Sequence, residues 1–66
     1  MKALYTLEEW QTIPPVARGY VLYMQAELPG SELKGQTNPY AAGTANHELF
    51  RTGERRAVLE VQDGEE

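Results

Sequence analysis

Sixty-six residues with a formal net charge of −4, no cysteine and a single histidine allow one small domain and exclude disulfide stapling or a cysteine–histidine zinc site. At roughly 1.5 kcal/mol of conformational entropy per ordered residue the chain has about 100 kcal/mol to offset, so efficient helix packing or self-association into a homodimer must supply its stability. The acidic balance disfavours direct nucleic-acid binding, which rests on phosphate contacts, and leaves another protein as the default partner.

Thr6-Leu7-Glu8-Glu9 has the Thr-x-x-Glu spacing of a capping box and predicts a helix of one or two turns. Ile13-Pro14-Pro15 cuts that helix short. Leu4, Leu7 and Trp10 recur every three residues and form its apolar edge. From Pro14 to about Leu28 the period is again helical, proline being tolerated in a first turn. Ile13, Val16, Ala17, Tyr20, Met24 and Leu28 fall on one face, Val21 and Tyr23 widen it, and Leu22 lies opposite. A helix apolar over so much of its circumference needs partners on more than one side. Gly19 within it, about 1 kcal/mol worse than alanine, marks a close contact, and Pro29-Gly30 ends it.

Residues 29–43 read as a loop, with two prolines, three glycines and the polar run Gln36-Thr37-Asn38. Asn38-Pro39 is a turn signal. Such a long connector has to be packed by its own side chains, and Leu33 and Tyr40 are its expected anchors. Thr44 caps the last helix. Leu49, Phe50, Gly53, Ala57 and Val61 share a stripe there, with Val58 beside it, and Gly53 and Ala57 let another backbone come near. The predicted end is near Val61, with residues 62–66 as a frayed acidic tail. The expected fold class is all-α: a single domain over residues 1–66, built as a two-helix hairpin with a short N-terminal helix and a long structured loop between the main helices. No apolar run suits a signal peptide or a membrane span, and the absence of cysteine fits a reducing compartment, so a soluble cytoplasmic protein without membrane contact is expected.

Arg51 and Arg55 share a helix face with Arg56 at its flank, a trio suited to bind phosphate or carboxylate. The competing reading pairs them with Glu48, Glu54 and Glu60 on the same helix, Glu48 three residues before Arg51 and Glu60 four after Arg56. His47 near the helix start is placed to titrate or to hold an anion, and an ordinary surface histidine is the simpler account. Tyr20, Tyr23 and Tyr40 with the arginines would stack bases or serve as core and rim. Without a phosphate-cradling glycine loop, paired catalytic carboxylates or a metal-ligand cluster, the sequence predicts no enzyme, no cofactor and no metal. The expected partner-binding residues are Asn38, Tyr40, His47, Arg51, Arg55 and Arg56.

Three short motifs, Arg18-Gly19-Tyr20, Pro39-Tyr40 and Phe50-x-x-Gly53-x-Arg55-x-Ala57, resemble those of the ribosome modulation factor family of small bacterial proteins, over roughly residues 17 to 58. In the family the aromatic position is usually tryptophan and the loop reads Cys-Pro-Tyr, where this chain has Phe50 and Asn38. Family members are strongly basic and have a shorter loop. The resemblance implies a two-helix regulatory protein that binds the ribosome in slow-growing cells and holds it inactive. The residues themselves leave two further readings. One is an acidic, phage- or mobile-element-borne inhibitor that occupies a basic surface of a host protein through Asp63, Glu65 and Glu66. The other is an oligomer that binds a small ligand or nucleotide between subunits through the tyrosines, Arg55 and the start of the last helix.

Overall fold

The computed structural model describes residues 4–64. Three α-helices follow one another: α1 (Leu7–Thr12), α2 (Pro15–Gln25) and α3 (Ala45–Gly64), with no strand among the described residues. The chain is therefore helical, as its periodicity predicts. No helix of the described residues is long and apolar enough to cross a membrane.

The capping box forms. Thr6 Oγ1 accepts the Glu9 amide at 3.1 Å, and Glu9 Oε1 accepts the Thr6 amide at 3.0 Å. Two of the orphan donors of α1 are thereby satisfied by side chains. Pro14 sits at the N-cap of α2 in an extended conformation, and Pro15 opens the helix where its missing N–H goes unneeded. At the other end α2 stops at Gln25, three residues before its expected end. Pro29 disfavours a helical Leu28, and the chain closes instead by a tight turn from the Leu28 amide to the Gln25 carbonyl, 3.0 Å. In α3 the difference runs the other way. Nothing between Val61 and Gly64 breaks a helix, so Gln62, Asp63 and Gly64 continue it, and only Glu65 and Glu66 of the expected tail lie outside the described residues.

The contact between α2 and α3 carries the fold, and α1 touches α2 more lightly. It is a backbone crossing. A Cβ added at Gly19 would overlap the Phe50 carbonyl oxygen and stand 2.9 Å from its carbon; one added at Gly53 would overlap the Val16 carbonyl oxygen and stand 2.9 Å from the Tyr20 nitrogen. Each glycine thus lies under a carbonyl of the other helix. Ala57, one turn on from Gly53, is fully buried. The expectation of close approach is met at Gly19 and Gly53.

Around this crossing Trp10, Val21, Leu22, Leu33 and Phe50 form the core, with Tyr5, Leu7, Ile13, Tyr20, Ala26 and Tyr40 packed against it. Leu33 is the plug of the 29–43 loop, as expected, and its turn is held by Ser31 Oγ, which accepts the Leu33 amide at 3.1 Å. The assignment of α2's faces needs correction. Leu22, expected opposite the core, is buried, whereas Met24 and Leu28, expected inside, are 38% and 46% exposed. A helix apolar all round offers its period no way to choose a face; Trp10 and Leu33 choose it. The α3 stripe likewise surfaces at its ends, Leu49 and Val61 being exposed.

Gly19→Ala and Gly53→Ala are each expected to destabilise by more than about 3 kcal/mol, beyond the usual range for overpacking, because the new methyl meets backbone instead of a movable side chain. Gly35, at φ 85° with nothing within 4 Å, separates strain from collision: Gly35→Ala should cost only about 1 kcal/mol. Urea unfolding of the three variants checks the order.

Candidate functional site

Where the loop returns to the helices, an aromatic group closes around one cation. Phe50 stands edge-on to Trp10, centroids 6.3 Å apart at 83°, and to Tyr40, 6.2 Å at 66°. Arg18, on the turn of α2 that carries Gly19, lays its guanidinium 4.2 Å from the Trp10 centroid and 5.3 Å from that of Tyr40. Its Nη1 donates to the Tyr40 hydroxyl at 3.0 Å, and its backbone carbonyl accepts the Trp10 indole N–H at 2.9 Å. Only 9% of Arg18 is exposed, and its Nε is buried without a hydrogen-bond partner. Two cation–π contacts, about 0.5–2 kcal/mol each, and one hydrogen bond near 1 kcal/mol offset a desolvation cost of several kcal/mol. The charge therefore adds little net stability, and the stem and the ring stacking hold the cluster together.

Three of the residues expected to bind a partner are engaged with one another just beyond this cluster. Asn38 Oδ1 accepts the Tyr40 amide at 3.0 Å, closing a turn over Pro39, while Asn38 Nδ2 donates to the His47 carbonyl at 3.2 Å. Both bonds agree on the orientation of the side-chain amide. His47 Nδ1 lies 3.1 Å from the Tyr40 carbonyl. A carbonyl only accepts, so Nδ1 carries the hydrogen and Nε2 is the nitrogen left for other chemistry. Thr44 acts as the cap of α3, its Oγ1 accepting the His47 amide at 3.2 Å. Asn38, Tyr40 and His47 thus fasten the loop to the start of α3, and each is half-buried.

The arginines of α3 divide. Arg51 and Arg55 are exposed one turn apart on a side of α3 away from Phe50, Gly53 and Ala57. Arg56 lies on the other flank, where its charge acts on Tyr20. Glu60, expected to pair with Arg56 along the helix, accepts the Tyr20 hydroxyl. That bond, then desolvation and the Glu60 charge, raise the Tyr20 pKa above its ordinary 10.0, with Arg56 opposing. Among the described residues no pocket and no group of metal-ligating side chains is found. Arg18 as a buried cation and the Tyr20–Glu60 contact were not foreseen from sequence. The available signal for the first was a charged residue in a helix otherwise free of charge, beside the glycine of close approach.

No family model matches the chain, and no curated protein or solved structure matches it.

Two predictions follow from this geometry. Arg18→Met, which keeps the stem and removes the charge, should stay within about 1 kcal/mol of the parent, whereas Arg18→Ala should lose about 2–4 kcal/mol through the cavity left between the rings; equal losses in chemical denaturation would show that the charge itself is what binds the cluster. The second concerns Tyr20. A pKa raised in the folded state means that the contribution of its neutral form is complete below pH 10 and disappears as pH climbs through the raised value. Ultraviolet titration should show one tyrosine ionising late, and Glu60→Gln should bring it back toward its ordinary value.

Proposed function

We propose that this chain is a small non-enzymatic regulatory protein of the ribosome modulation factor type, acting on the ribosome or on translation. In this proposal α2 and α3 form the hairpin, the 29–43 loop closes it, and the Arg51/Arg55 side of α3 meets the partner. One observation carries the reading. The residues that make up the resemblance are distant in sequence yet converge in space: Gly19 and Gly53 at the helix crossing, and Arg18, Tyr40 and Phe50 in the cluster beside it. Motifs that meet in one packed unit are the expected mark of a shared architecture, since each would lose its packing role alone. Arg55 is the exposed cation among the matched residues, with Arg51 one turn before it. Guanidinium groups so placed bind phosphate or carboxylate bidentately, and two of them on a chain of net charge −4 favour a specific docking contact over general attraction to a polyanion.

Co-sedimentation with ribosomes on sucrose gradients, at low and at physiological salt, tests the reading. Migration with ribosomes at physiological salt is expected, and an Arg51→Ala, Arg55→Ala double variant with unchanged circular dichroism should stay at the top. Parent protein left at the top would reject a ribosomal target. Association retained by the double variant would reject that face.

A further inference from the structure

We propose that His47 is a proton-dependent third member of the Arg51/Arg55 side of α3, so that acid tightens association with an anionic partner, a role that rests on the reading of that side as the docking face. His47, Arg51 and Arg55 follow one another at steps of four along α3. That spacing sets each side chain one turn beyond the last, about 6 Å along the axis. Both arginines are exposed and His47 is half-buried, since the loop covers one edge of its ring. The other edge is open. Among the described residues the one buried side-chain nitrogen or oxygen without a partner is Arg18 Nε. His47 Nε2, which accepts and donates nothing within the chain, therefore reaches solvent.

The fold decides which nitrogen takes the second proton. Nδ1–H donates to the Tyr40 carbonyl at 3.1 Å, the His47 amide is accepted by Thr44 Oγ1, and the His47 carbonyl accepts Asn38 Nδ2. The proton therefore arrives at Nε2 and leaves the loop contact intact; a charged ring is also the stronger donor to Tyr40. The ionisable groups around the ring do not pair with it. On α3 these are Glu48 beside it and Arg51 one turn on. On the loop, the Tyr40 hydroxyl is held by Arg18, Glu32 accepts the Leu7 amide, and Lys34 is exposed. The charged residue of α2, Arg18, lies against Trp10 and Tyr40. Like charges one turn apart repel, and a phosphate or carboxylate set between His47 and Arg51 turns that repulsion into two attractions. Anion binding thus favours the charged ring. Association takes up a proton, is strongest in acid and weakens as pH rises through the range in which histidine titrates.

Co-sedimentation of the full chain with ribosomes at constant salt, at about pH 6 and about pH 8, tests the proposal. The parent is expected to associate about threefold more tightly at the lower pH, the size of one exposed charge contact. His47→Asn, whose amide can still donate to the Tyr40 carbonyl, should bind at both pH values as the parent does at the higher one. His47→Arg, charged throughout, should bind at both as the parent does at the lower one, and supplies the comparison if His47→Asn fails to fold. Equal association of the parent at the two pH values would overturn the proposal, and so would a pH dependence kept at full size in either variant. Parent protein left at the top of the gradient at both pH values would instead reject the ribosomal reading, and this role of His47 with it.

Discussion

Two glycines, each beneath a carbonyl of the opposite helix, are the constraint on which the rest of this protein depends. Where Gly19 meets Phe50 and Gly53 meets Val16 there is no side chain between the backbones. Helices separated by leucines can slide or rotate by exchanging rotamers, whereas a crossing made of backbone has little freedom to adjust. The position along both helices is set together. Phe50 is then carried to its place between Trp10 and Tyr40, because it stands three residues from Gly53 on the same side of α3. A small chain without disulfides thereby gains rigidity from geometry where core volume is scarce.

The second consequence concerns the loop. Arg18 is the neighbour of Gly19, so the crossing that fixes the glycine also fixes where the guanidinium can reach. It reaches Tyr40, and its carbonyl takes the indole N–H of Trp10. One residue of α2 thus ties α1 on one side and the 29–43 segment on the other. Leu33 adds an apolar plug, and Asn38 with His47 fastens the far end of the segment to α3. A loop held at a few side-chain points opens more readily than one held by a hydrogen-bonded ladder. The Arg18–Tyr40 contact accordingly joins the loop to the core packing.

Features governed by neighbouring residues were legible in the sequence. The Thr6/Glu9 box, the proline start of α2, the Thr44 cap and the glycines of close approach all follow from rules acting over a few residues, and all are present. The choice of core face on α2 was not legible. With apolar residues on every side, the decision between Leu22 and Met24 belongs to Trp10 and Leu33, more than ten residues away along the chain from one or the other. The candidate site divides in the same way. Tyr40 was visible as an anchor because proline and asparagine surround it, but its use of Arg18 spans 22 residues. Glu60 was expected to pair four residues back with Arg56; its actual partner, Tyr20, stands 40 residues away. An exposed pair along a helix contributes only a few tenths of a kcal/mol, so a tyrosine hydroxyl brought close by the crossing competes with it easily.

The chain thus separates two kinds of surface. Asn38, Tyr40 and His47 satisfy one another and serve the fold first, with little of their hydrogen-bonding capacity left for a visitor apart from His47 Nε2. Arg51 and Arg55 point away from the crossing and take no part in building it. Every added arginine would work against the charge of the rest of the chain, so in the proposed reading what the Arg51/Arg55 side offers a partner is the fixed spacing of two guanidinium groups on one helix and not a long-range field.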